Sequence, residues 1–355
     1  MNKRFLPALL VCLTLGAAYA QRPWQVETAL AQGDFYSHSD FRAPMIRPIR
    51  SMDFCISRPT DGTRRWQQLH HYPDMGLRFR VRDMGNTAVY GQVFSLVPYL
   101  RFYPWKKEKW GVQVSHGTGL CYISKIFSEK KNPSNRLISS HLNAASFLSA
   151  GIYYQPARQW NVAATLEFSH ESNGNFKIGN RGFNIWAAGL AVRRTWGGPV
   201  KRIPPTVFDT PFKRWLFSVE ISGGLHDYHA YNGELLVTPE ATVAVLRQHN
   251  ERFRSYAGLG YCAFPFPLTD RAAFVIIGEE VLLGNLSVRY SLGTYLTDTG
   301  SRLRPIEKVG ISYYPFKSRT TGSAPAIARG MYFGTYLKAH GSVAAHIEFT
   351  VGNVF

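Results

Sequence analysis

After its first twenty residues, the 355-residue chain has no apolar run approaching the 18 or so residues that a helical membrane span requires, so helical insertion is excluded. Cysteine is scarce. Of four, Cys12 lies in the opening apolar run, and Cys55, Cys121 and Cys262 stand at wide, irregular spacing, which excludes a disulfide framework and a cysteine metal site. Acidic residues are few, 23 against 41 lysines and arginines. No internal repeat, coiled coil or low-complexity tract interrupts the chain. What is present begins with the basic start "MNKR", the apolar stretch Phe5 to Leu15 and the small-residue site Ala18-Tyr19-Ala20, the pattern of a secretory signal peptide over residues 1–20. Cleavage after Ala20 removes Lys3 and Arg4 and takes the formal charge from +18 to +16. Export sets nucleic acid aside as the partner of this charge; the anions expected instead are phosphorylated lipids, with basic residues also spread over loops and a lumen.

The dominant pattern downstream has period two. Leu77, Phe79 and Val81 alternate with Arg78, Arg80 and Arg82; Trp215, Phe217, Val219 and Ile221 alternate with Leu216, Ser218, Glu220 and Ser222. Strands with one apolar and one polar face suit a half-buried antiparallel sheet or a barrel that faces lipid. The final stretch favours the barrel: Val343, Ala345, Ile347, Phe349, Val351 and Phe355 share a face, His346, Glu348 and Thr350 share the other, and a terminal amphipathic strand ending in Phe resembles the assembly signal of outer-membrane barrels. The expected architecture is therefore all-β, a transmembrane antiparallel barrel over residues 75–355 with about fourteen strands in a range of twelve to sixteen. Residues 21–74 are expected to be a lead-in or partial lumen plug, with a further wall hairpin as the alternative. The first strand running outward puts "WKKEK", "PARQW", "QHNER" and "GN" at the periplasmic rim, where short turns belong. Two long Pro-bearing connections, "GGPVKRIPPTVFDTPFK" and "KSRTTGSAPAIAR", fall on that same rim and fit it less well.

One strand changes character along its length. Trp160, Val162, Ala164, Leu166 and Phe168 form an apolar face, which His170 and Ser172 then continue where the strand reaches the outer rim. Side chains two apart in a strand point the same way, so imidazole and hydroxyl lie together at the edge of the hydrocarbon, level with the acyl esters of an outer-leaflet lipid. A serine needs a neighbouring base, and that base needs a third group to orient it. Asn184 opens the returning strand on the same face and can accept a hydrogen bond from His170. Asn173 and the amide of Gly174 are the candidates for stabilising an oxyanion. His38, His116 and His141, each beside a serine or glycine, are read as polar rim, and "HH" at His70 and His71 points to opposite faces, a weak metal site. Glu167 and Glu171 point into the lumen, so neither supplies the third group.

The string "HESNGNFKIGNRGFN", with "YPDMGL", "GTGLCYISK" and "ISSHLNAA", resembles the outer-membrane lipid A deacylases, or PagL-type acyloxyacyl hydrolases, from about Asp61 to Trp196. The resemblance implies His170 as base, Ser172 as nucleophile and Asn173 as an oxyanion contributor, with lipid A of lipopolysaccharide as substrate, the outer membrane as location and no cofactor. The best-known members place a Glu where this chain has Asn184. An Asp-to-Asn change in a serine triad costs about four orders of magnitude in turnover because it favours the wrong tautomer. His-x-Ser-Asn-Gly followed by Asn also resembles outer-membrane phospholipase A, whose third member is Asn; that likeness implies calcium and a homodimer. A catalytically silent barrel, pore or structural, is the third expectation.

Overall fold

The computed structural model describes residues 23–36, 44–177, 181–205, 215–227, 235–263, 271–296, 305–316, 329–340 and 343–355. The signal peptide expected over 1–20, His38 and most of "KSRTTGSAPAIAR" lie outside the described residues.

Two closed barrels, each of eight antiparallel strands, replace the single larger one expected from the sequence. The first contains β1 (Trp24–Phe35), β2 (Ile49–Pro59), β3 (Asp74–Asp83), β4 (Gln92–Lys106), β5 (Trp110–Ile123), β6 (Leu142–Ala157), β7 (Trp160–Ser172) and β8 (Phe183–Trp196), with the short helix α1 (Arg65–Leu69) between β2 and β3. It closes by pairing β1 with β8, from Trp24 opposite Trp196 to Phe35 opposite Ile185. The second contains β9 (Trp215–Asp227), β10 (Leu235–Gln248), β11 (Phe253–Ala263), β12 (Arg271–Leu283), β13 (Leu286–Tyr295), β14 (Ile306–Tyr313), β15 (Gly330–His340) and β16 (Val343–Val354), and closes by pairing β16 with β9.

Within residues 21–74, β1 and β2 are strands of the wall, the hairpin given as the alternative and not a plug, and without β1 the β8 strand would have no partner on its outer edge. The wall is also not continuous from 75 to 355, because the chain leaves the first barrel at Trp196 and starts a second at Trp215. An open edge exposes unpaired amides, and in hydrocarbon each such group costs several kcal/mol, so a sheet that can meet its own first strand closes there. Since two strands were added ahead of β3, the direction of every later strand is as expected, and the short turns 107–109, 158–159, 249–252 and 284–285 share the rim that holds both ends of each barrel.

The period-two pattern resolves into an apolar outer surface and a charged, packed lumen. Leu77, Phe79, Leu166, Leu190, Phe217, Ile221, Ile277 and Phe349 are exposed on the outside. Inside the first barrel Arg78 donates to Glu167 (2.6 Å), Arg80 donates to Asp53 (2.6 Å) and to Glu167, Arg82 donates to Glu171 (2.6 Å) and Arg101 to Glu27 (2.6 Å). The second barrel repeats the arrangement with other residues: Arg254 with Glu280 (2.6 Å), Arg289 with Glu220 (2.8 Å), Lys338 with Glu240 (2.7 Å), and Lys308 with Glu240 and Glu348. An eight-stranded barrel is just wide enough for side chains to fill, and here cations and anions fill it in pairs.

Arg80 shows what these pairs contribute, because it is shared by Asp53 and Glu167, both buried. Arg80→Ala leaves Arg78 as the one cation shared by these two buried carboxylates, and is expected to destabilise the first barrel by about 3 kcal/mol, the lower end for breaking a buried pair. Urea unfolding in detergent checks this against Arg50→Ala, at an exposed position on β2, which is expected to leave the midpoint in place.

Candidate active site

β7 and β8 bring the site together through their pairing register. His170 stands directly opposite Asn184. Each is held outward by its chain neighbours: Ser169 and Glu171 flank His170, Phe183 and Ile185 flank Asn184, and all four are buried inside the barrel. A one-residue slip would turn every one of these side chains to the other face, so lumen packing sets the geometry of the rim. Nδ1 of His170 lies 2.7 Å from Oδ1 of Asn184, and Nε2 lies 2.8 Å from Oγ of Ser172. The three residues that the sequence singled out thus form one continuous hydrogen-bonded chain on the outer face.

Beyond Ser172 the chain reverses through Asn173-Gly174-Asn175-Phe176. Gly174 and Asn175 both have positive φ, +61° and +67°, and the Phe176 amide donates to the Asn173 carbonyl (3.2 Å). Two successive left-handed residues are the signature of a tight primed turn, to which Asn-Gly is suited. The turn directs the Gly174 amide at the Ser172 oxygen, 3.4 Å away. The Asn173 side chain is engaged elsewhere: its Nδ2 donates to Oγ of Ser140 (2.9 Å) and to the Lys177 carbonyl (3.1 Å). Ser172 and Asn173 are each 4% exposed, low values for a barrel rim.

Sequence reasoning did not single out the residues that support this turn. The β5–β6 connection carries Leu137, Ile138 and Ser139, all buried, and Ser140; its Leu137 carbonyl accepts from the amides of Arg181 (2.9 Å) and Gly182 (3.0 Å). Gly182 has φ +73°, and a Cβ there would lie 2.7 Å from Cε1 of His170, so only glycine leaves room for the imidazole. The signal was available, since "ISSHLNAA" contains Ser139 and Ser140, but nothing local linked it to Asn173.

The other candidates are engaged structurally. Glu171 accepts from Arg82 inside the lumen (2.6 Å). His116 and His141 each meet a backbone carbonyl, of Phe147 (2.8 Å) and Ile123 (2.7 Å), and His141 stacks on Tyr122. His70 meets the Leu282 carbonyl of the second barrel (2.8 Å), and burial pushes its pKa below the ordinary value, which favours a neutral ring donating through Nε2.

Closed antiparallel barrels with apolar exteriors and filled polar lumens, built here in tandem, are outer-membrane barrels, and this protein is one, located in the bacterial outer membrane. Residues 56–193, from β2 into β8, match the family model of PagL, lipid A 3-O-deacylase. The deacylase resemblance is therefore borne out over the barrel that carries Ser172. No curated protein matches the chain. Among solved structures it is similar to Neisserial surface protein A (9% identity, TM-score 0.33, 48% of this chain and 95% of that one). It is also similar to the N-terminal β-barrel domain of Pseudomonas aeruginosa OprF (17%, 0.29, 48% and 97%) and to the β domain of the Bordetella autotransporter BrkA (11%, 0.22, 94% and 98%).

Proposed function

We propose that the protein is a serine esterase that removes an acyl chain from lipid A at the outer leaflet. The observation that carries this reading is His170 bridging Ser172 and Asn184 on the lipid-facing rim. With Nδ1–H donated to the Asn184 carbonyl, Nε2 is the bare nitrogen and accepts the Ser172 proton. Oγ attacks the ester carbonyl, the Gly174 amide donates to the developing oxyanion, and the tetrahedral intermediate collapses to an acyl-serine as His170 returns its proton to the departing sugar hydroxyl. Water, deprotonated by the same nitrogen, then attacks the acyl-serine and releases a fatty acid, which restores the Ser172 hydroxyl. Asn173 serves this chemistry indirectly, by tying the turn to Ser140.

The substrate class is supported by charge. Lys125, Lys130, Lys131, Arg136, Lys177 and Arg181 are exposed on the rim segments around the site, a basic collar suited to the phosphates of lipid A. The family description names the 3-O position, which makes that ester the first to examine.

Asn184 as third member favours a second reading, a phospholipase A-type hydrolase that requires calcium. A silent pore has less support, since paired charges fill both lumens among the described residues. Mass spectrometry of lipid A and phospholipids from cells with and without the protein distinguishes these readings. Loss of one acyl chain from lipid A is the expected result. Loss confined to phospholipids and abolished by a chelator would move the assignment to the second reading, and unchanged lipids in both pools would overturn both.

A further inference from the structure

In an isolated barrel, the turn after Ser172 would project into solvent; here it meets the second barrel. A Cβ at Gly174 would lie 2.4 Å from Cγ1 of Ile347 and 3.3 Å from Cδ1 of Leu337, so the two surfaces are in direct contact at the turn. Leu337 on β15 and Ile347 on β16 are cross-strand partners. They lie on the outer face, since their neighbours Lys338, His346 and Glu348 are buried in the lumen. Lower on that face, Phe333, Phe349 and Val351 are 48%, 56% and 48% exposed, while Leu337 and Ile347 are only half-buried, covered where the turn meets them.

A polar contact accompanies the apolar one and depends on an irregularity in β16. The pairing of β15 with β16 passes from Lys338 opposite His346 to Ala339 opposite Ala344, which leaves Ala345 as the extra residue of a β-bulge. A bulge removes a residue from the ladder and turns its backbone groups away from their usual partners. The Ala345 carbonyl accepts instead from Nδ2 of Asn175, 3.0 Å away in the first barrel. Asn175 is the residue directly after Gly174, so the hydrogen bond and the apolar contact hold the two halves of one turn.

Resting on the proposed esterase reading, we infer that the second barrel is part of the active site. Leu337, Ile347 and the bulged carbonyl of Ala345 are positioning groups that hold the Gly174 amide in line with Ser172. The match to the deacylase family ends at residue 193, so these groups lie outside it. The second barrel thus acts on catalysis indirectly, through the turn, without itself touching the ester.

The test uses the full-length protein in detergent with two readouts, acyl release from lipid A and covalent labelling of Ser172 by an alkyl fluorophosphonate, which needs the serine, the base and the oxyanion donor but no lipid recognition. Leu337→Ala with Ile347→Ala loosens the apolar half of the clamp. Asn175→Gly removes the polar half while keeping the left-handed backbone. A misplacement of about 1 Å can cost about 10²-fold, so kcat and the labelling rate are both expected to fall by up to that factor with KM little changed. Leu337→Ile with Ile347→Val should recover most of the loss. The cross-strand pair immediately below, Thr335→Ala with Phe349→Ala, should match wild type. Heat-modifiable migration on gels confirms that each variant is assembled. Wild-type kcat and labelling in the loosened variants would overturn the inference, as would a change confined to KM. If wild type is labelled but does not deacylate lipid A, the substrate reading fails and the labelling rates alone decide the clamp. A wild type that is neither labelled nor active overturns both.

Discussion

Ser172→Ala is expected to abolish acyl release while both barrels still assemble. The hydroxyl is the only atom removed, and its partner His170 lies on the outer face, so the lumen ion pairs that hold the wall are untouched. The kinetic consequence is large because nucleophile and base act as a unit: loss of one essential member of such a set costs about six orders of magnitude in turnover. Product analysis after overnight incubation, alongside heat-modifiable gel migration, separates chemistry from folding. Undiminished release from a folded Ser172→Ala protein would eliminate the mechanism, whatever the substrate.

Asn184 gives the second large effect and separates the two enzymatic readings. Asn184→Ala removes the acceptor on Nδ1 of His170, so nothing selects the tautomer whose Nε2 faces Ser172; a loss approaching four orders of magnitude is the scale of a wrong-tautomer triad. Asn184→Glu keeps an acceptor at the same register position and also stabilises the imidazolium formed during attack, so on lipid A it is expected to retain or raise activity. Activity that appears on phospholipids, vanishes with a calcium chelator and collapses in the Glu variant would instead mark a phospholipase-type arrangement. If Asn184→Ala equals wild type, the 2.7 Å contact is incidental to catalysis.

The trio was legible in the sequence because a strand has a strict side-chain period. His170 and Ser172 share a face by spacing alone, and Asn184 joins them once the hairpin is read as a return across the rim; the observed register puts it opposite His170. The alternation of Arg78, Arg80 and Arg82 with apolar residues likewise told inside from outside. Closure was not legible. Alternation records which face a residue occupies and is silent on which strand the last one meets, so sixteen strands in one ring and in two rings read alike. A local sign was the long connection after Trp196, where the first barrel ends, but the equally unsuited connection between β14 and β15 lies within one barrel, so length alone did not mark the boundary. β1 was missed for a different reason: Thr28, Gln32 and Asp34 lie on the face that carries Trp24, Val26 and Leu30, which blurs the alternation. The supporting roles of Ser140 and Gly182 depend on a loop folding back over the rim, a long-range contact that no spacing rule reaches.

Among the described residues the barrels touch at both rims: at one through a hydrogen bond and an apolar contact, at the other through the Arg65–Glu251 ion pair, the His70–Leu282 contact, Arg252 donating to the Leu69 carbonyl (3.4 Å) and Trp66 against Gly284. As separate chains, the two barrels would have to find each other by diffusion in the plane of the membrane. Joined through the stretch between Trp196 and Trp215, each faces its partner at an effective concentration in the millimolar range. An interface of millimolar strength then suffices. Covalent tethering therefore keeps the turn after Ser172 beside the second barrel whatever the strength of their contact.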